Sequence, residues 1–129
     1  MKMVTKEQLE KKILFKRVIE WSKDFIKLED GTTITLECTD QDCCAGAYGE
    51  FEPISEYPPL DAMITDIIVG DEERIPDDDT IINRVELKIF HNQNIICKAE
   101  VEADAGNGGY YYSIGSLVVG DIFLPIVSA

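Results

Sequence analysis

The stretch RVELKIFHNQNIICKAEVEA, residues 84–103, decides the fold. Val85, Leu87 and Ile89 alternate with Arg84, Glu86 and Lys88, and after a polar break Cys97, Ala99, Val101 and Ala103 alternate with Lys98, Glu100 and Glu102. A period of two is the signature of a strand with one buried and one solvated face. The break, His91-Asn92-Gln93, supplies turn chemistry, because Asn tolerates positive φ. The two runs therefore predict an antiparallel hairpin. Pairing Ile89 with Ile95 keeps Ile95 on the apolar face, and it sets Glu86 opposite Lys98 and Arg84 opposite Glu100. Opposite charges across strands contribute a few tenths of a kcal/mol each.

Outward from this hairpin, other strands follow from similar patterns. FIKLE and TITLEC flank Asp30-Gly31, a turn signal. A three-residue loop with Gly31 left-handed sets Leu28 opposite Ile34 and Ile26 opposite Leu36 on one apolar face. LFKRVIEW is rich in β-formers, and MITDIIV (63–69) reads as a central strand covered on both faces. YYYSIGSLVV and IFLPIV supply two more strands, the last at an edge because Pro125 has no amide hydrogen to give. Thr5 and Gln8 form a capping box ahead of a short helix through Lys12, with Leu9 and Ile13 on its apolar stripe. Residues 39–61 read as a long loop with three prolines, and GDEERIPDDD (70–79), six acids in ten residues, as a solvated one. The expectation is an α+β fold: one N-terminal helix with a curled, mainly antiparallel sheet or small sandwich of about seven strands, residues 1–129 forming a single domain.

The 129 residues carry a net charge of −13, unevenly spread. Residues 1–30 hold eight basic and six acidic side chains, and residues 31–129 hold four basic and nineteen acidic ones. Such a surface repels phosphates and anionic membranes, so direct binding to nucleic acid or membrane is not expected, whereas a basic protein surface is a natural partner. One version of that is a DNA mimic, occupying a site that normally holds DNA. Met1 to Lys12 is charged where a signal peptide would be apolar, and no apolar run approaches the roughly 20 residues that span a bilayer. A cytoplasmic protein with reduced thiols is expected.

Candidate chemistry centres on TDQDCCAGAYGEFE, residues 39–52. Asp42, Cys43 and Cys44 with His91, the one histidine, would be the parts of a thiol- or metal-dependent site. Cys38-x₄-Cys43 lies near zinc-ligand spacing, but no second pair exists, adjacent side chains diverge, and a vicinal disulfide closes a strained ring. Cys97 falls on the inward face of its strand, and His91 is adequately used by its turn. No cofactor is implied, and the sequence alone does not decide for or against a metal. DEERIPDDD lacks the alternating ligand pattern of a calcium loop, and DAGNGG (104–109) lacks the Lys of a phosphate-cradling loop. Tyr110, Tyr111 and Tyr112 alternate faces in an extended chain, offering an aromatic patch as a candidate interface.

The combination of DCCA, LDAMITDIIVG, IPDDDTIINRVELKIFHNQN and AEVEADAGNGGYYYS resembles a family of small acidic phage and prophage proteins, a domain of unknown function, over roughly residues 10–120. The resemblance implies a phage or prophage origin and a location in the bacterial host cytoplasm. It brings no activity and no catalytic residues with it. The reading that results is a non-enzymatic accessory protein that binds a host or phage protein, with the thiol or metal enzyme as the alternative.

Overall fold

A computed structural model describes residues 1–53 and 61–129. Among these, eleven strands and one α-helix run in the order β1 (Lys2–Met3), α1 (Lys6–Ile13), β2 (Val18–Trp21), β3 (Phe25–Leu28), β4 (Thr33–Gln41), β5 (Gly46–Pro53), β6 (Asp66–Val69), β7 (Glu73–Ile75), β8 (Ile82–His91), β9 (Asn94–Asp104), β10 (Ser113–Val119) and β11 (Ile122–Ser128). They form two sheets. One has six strands in the order β1-β11-β10-β4-β3-β2; the other runs β5-β9-β8-β6, with β7 also paired to β8. All pairs are antiparallel except β1 with β11. The expected α+β fold with about seven strands in a curled sheet is thus overturned: the protein is mostly β, with a single short helix.

The sheets pack face to face. A Cβ on Gly115 of β10 would lie 2.8 Å from Val101 Cγ1 and 3.3 Å from Ala47 Cβ, both on the opposite sheet. Val85, Leu87 and Ile89 of β8, with Cys97, Ala99, Val101 and Ala103 of β9, are buried against Ile26, Leu28 and Ile34 in one core. Helix α1 starts at the capping box: Gln8 N donates to Thr5 Oγ1 at 3.2 Å, and Thr5 N to Gln8 Oε1 at 3.0 Å. It adds Leu9 and Ile13 to the same core. Asn83 crosses between the sheets, donating from Nδ2 to the Ser128 carbonyl at 2.8 Å.

The β8–β9 hairpin keeps its inward face but not its expected register. Asn92 and Gln93 form a two-residue turn between paired His91 and Asn94, with Asn92 at φ 55°. Continued without interruption, that turn would place Leu87 opposite Lys98 and mix the faces. An extra residue, Ile96, restores the pattern: Phe90 pairs with Ile95, then Ile89 with Cys97 and Leu87 with Ala99. Ile89 therefore does not face Ile95. Glu86 faces Glu100 rather than Lys98, and Arg84 faces Glu102 rather than Glu100.

The β3–β4 hairpin has its three-residue loop one position earlier than expected, Glu29-Asp30-Gly31, with Gly31 at φ 88°. This sets Ile26, not Leu28, opposite Ile34. MITDIIV is no central strand; β6 lies at a sheet edge, and Ile68 is exposed. Its nearly continuous apolar run arises because Ile64 and Ile67 reach the core while Ile68 faces out. The described part of the expected loop 39–61 is largely strand: β4 reaches Gln41 and β5 runs Gly46–Pro53, while residues 54–60 lie outside the described part. Within 70–79, Glu73–Ile75 pairs with β8, because the backbone can complete a ladder while its side chains stay in water. Pro125 is consistent with an edge, since β1 reaches only Ile122 and Phe123 of β11.

Candidate functional site

The turn Asp42–Ala45 carries β4 of one sheet into β5 of the other. Asp42 N donates to the Tyr112 carbonyl at 2.9 Å, and Ala45 N to the Asp42 carbonyl at 3.3 Å. Cys44 sits at φ 75°. Side chains of neighbouring residues diverge in an extended chain, and that divergence was the expectation for Cys43 and Cys44. The left-handed residue reverses it: the two sulfurs lie 3.2 Å apart, and both residues are exposed. The Cys44 sulfur beside it, and the Asp42 charge, push the Cys43 thiol above its ordinary value.

The other two cysteines are elsewhere. Cys38, on β4, donates from Sγ to Gln41 Oε1 at 3.3 Å. Cys97 is buried on the inward face of β9, and burial pushes its thiol up to about 12. A thiol whose folded value lies above its unfolded one binds its proton longer when folded. Stability should therefore be level below about pH 8.5 and fall as pH rises toward 12, by up to about 1.4 kcal/mol per unit. Urea unfolding at pH 8, 9 and 10 checks this, and the slope should become shallower in Cys97→Ala, the raised Cys43 thiol and tyrosine phenols supplying what remains.

His91 is not near the cysteines. The β8–β9 ladder runs from Ile82 opposite Asp104 to His91 opposite Asn94. Cys44 belongs to the first end, where its carbonyl abuts Gly106. Nine residues of strand separate the ends by about 30 Å. His91 Nδ1 instead lies 2.7 Å from the Met63 carbonyl. Among the described residues no three His, Cys, Asp or Glu side chains converge to hold a metal ion.

Tyr110, Tyr111 and Tyr112 precede β10 rather than lie in it. Tyr110 is 87% exposed, and Tyr112 donates from Oη to Asp40 Oδ1 at 3.0 Å. The ring of Tyr111 lies against the Cys43–Cys44 turn, and the nearby Cys44 and Cys43 sulfurs raise its phenol. Tyr111, Tyr112 and the two exposed cysteines thus lie together with Asp40 and Asp42.

A second feature escapes sequence reasoning, because it depends on the Ile96 bulge. On the outer face of the five-stranded sheet, Glu50 of β5 faces Glu100 of β9, which faces Glu86 of β8. Three glutamates thus stand in one row across three strands. The flanking rows are Tyr48, Glu102 and Arg84 on one side, and Glu52, Lys98 and Lys88 on the other. Tyr48 donates from Oη to Glu102 Oε2 at 2.6 Å, and that bond raises its phenol. Arg84 lies 3.8 Å from both Glu102 and Glu73. A shallow depression is lined by Tyr48, Glu50, Glu52, Glu100 and Glu102. Like charges directly opposite destabilise a sheet, and Lys88, 3.8 Å from Glu86, offsets only part of that cost, leaving Glu50 and Glu100 opposed.

The model of a family described as a domain of unknown function (DUF7448) matches residues 10–118. No curated protein and no solved structure matches the chain.

Proposed function

Because this chain belongs to that DUF7448 family, a domain of unknown function, its role has to be read from its own surface, and we propose that it is a non-enzymatic phage or prophage accessory protein. It acts in the bacterial host cytoplasm by binding a host or phage protein. The partner presents a basic surface to the outer face of the five-stranded sheet. The observation that carries this reading is the Glu50–Glu100–Glu86 row. A sheet held only for stability would oppose unlike charges there, and a cationic partner removes the repulsion on binding. The surplus of acids after residue 30 extends the same field over the surface. Tyr48, 63% exposed at the rim, adds an aromatic contact of the kind that anchors interfaces. The phage setting rests on the resemblance carried by DCCA, FHNQN and ADAGNGGYYYS, and no described helix is long and apolar enough to cross a membrane.

Affinity capture from phage-infected cell lysate tests this reading, with Glu100→Lys as the comparison. The introduced ammonium would face Glu50 and Glu86, so the variant should be more stable by about 0.5 kcal/mol in urea unfolding. It should at the same time lose the captured partner. Capture by the unmodified protein should weaken as salt rises to about 0.5 M. Equal capture by both proteins would reject the acidic face. Competition by duplex DNA for the same partner would identify the DNA-mimic form of the reading.

A further inference from the structure

The contact between Cys43 and Cys44 is imposed by what surrounds the turn. A non-glycine residue at positive φ is uncommon, and here neighbours hold it in place. Asp42 N is bonded to Tyr112, and the Cys44 carbonyl lies so close to Gly106 that a Cβ there would come within 2.4 Å of it. The Tyr111 ring packs beside the same Gly106, where a Cβ would lie 2.9 Å from its Cδ2. Both sulfurs face solvent, whereas Cys38 is half-buried and Cys97 buried. A reagent arriving from solvent therefore meets two thiols already in contact.

We propose that Cys43–Cys44 is a modification site at which a small-molecule disulfide converts the dithiol to a vicinal disulfide. One thiolate attacks the reagent, forming a protein–reagent disulfide and expelling one reagent thiolate. The neighbouring thiolate then attacks the protein sulfur of that bond, forming the Cys43–Cys44 bond and expelling the second reagent thiolate. The two cysteine protons end on the two departing thiols. The protein loses two electrons, and one disulfide reagent becomes two thiols. The ring that closes is strained, so the bond is readily reduced again, which suits a reversible mark rather than a staple.

The charged and titratable groups around the pair are all acidic: Asp42 on the turn, Asp104 at the end of β9, Tyr111 on the segment before β10, and Asp77 and Asp79 before β8. No Lys or Arg occurs between Lys27 and Arg74 or after Lys98. With no cation to favour a thiolate, closure is slow at neutral pH. It should accelerate about tenfold per pH unit until the attacking thiol has titrated.

The test uses the Cys38→Ala protein treated with oxidised glutathione, alkylated, digested with trypsin and mass-analysed. Trypsin leaves the segment between Lys27 and Arg74 whole. That peptide should be lighter by two hydrogens, without alkylation at Cys43 or Cys44 and without bound glutathione, and dithiothreitol should reverse the change. In a Cys38→Ala/Cys44→Ser protein the glutathione should instead remain on Cys43, which shows that access and closure are separate. A persistent glutathione adduct with both cysteines present, a disulfide-linked dimer, or two alkylated thiols would each overturn the proposal.

Discussion

Phe51→Ala is expected to cost about 3–5 kcal/mol, the range for emptying a fully buried aromatic site. Phe51 lies on β5 with no exposed surface, and among the described residues it is the largest of the fully buried side chains. Its cross-strand neighbour is Ala99, which in turn faces Leu87. Ala99 is too small to move into the space, so the cavity persists, and the loss should fall toward the upper part of that range. Its backbone is also tied, Phe51 N donating to the Lys23 carbonyl at 2.8 Å, which limits collapse of the strand. Urea unfolding should show a lower midpoint at unchanged slope. Phe15→Ala is the contrast: Phe15 is 66% exposed, and its loss should change stability by no more than about 0.5 kcal/mol. A loss below about 1 kcal/mol in Phe51→Ala would mean that the two sheets do not close over β5.

Both phenylalanines look alike in the sequence, and the difference between them marks what patterning can and cannot carry. Local chemistry was legible where it was sufficient. Thr5 and Gln8 satisfy one another whatever lies around them, and Gly31 supplies the only left-handed position in its turn that costs no Cβ strain. The inward face of β8 and β9 was legible too, because a two-residue period survives any register. The register itself was not. It rests on one bulged residue, Ile96, whose placement is decided by the core it must face. The cross-strand charge pairs expected from simple pairing therefore failed, and the glutamate row was hidden with them.

Strand β5 was missed for a related reason. Its inward residues are Ala47, Gly49 and Phe51, and two of them are small. They are small because the layers are close: a Cβ on Gly49 would lie 3.0 Å from Leu36 Cδ1 of the other sheet, and one on Gly115 of that sheet 3.3 Å from Ala47 Cβ. Tight packing between sheets erases the hydrophobic alternation from which strands are read. The candidate site divides in the same way. That Cys43 and Cys44 are adjacent is sequence; that they touch is a consequence of one φ angle, and that His91 stands far off is a consequence of the length of a hairpin.

The angle at Cys44 is itself held from outside, and Gly106→Ala should release it. Gly106 has φ 76° and ψ −174°, a region open in practice to glycine alone. An added Cβ would stand 2.4 Å from the Cys44 carbonyl oxygen and 2.9 Å from Tyr111 Cδ2. The first of these is backbone and cannot rotate away. Strain at the residue and overpacking against the turn each cost about 1–3 kcal/mol, so a loss of roughly 3 kcal/mol or more is expected in urea unfolding. Gly120→Ala is the contrast, because Gly120 also has positive φ, 59°, but open space where its Cβ would go. It should cost only about 1–2 kcal/mol. Pushing the Cys44 carbonyl away also turns the residue, so Gly106→Ala should slow disulfide closure at Cys43–Cys44 while leaving access to Cys43 intact. Equal losses in the two glycine variants would show that the segment before β10 does not brace the turn, and the sulfur contact would then have to be a property of the turn alone.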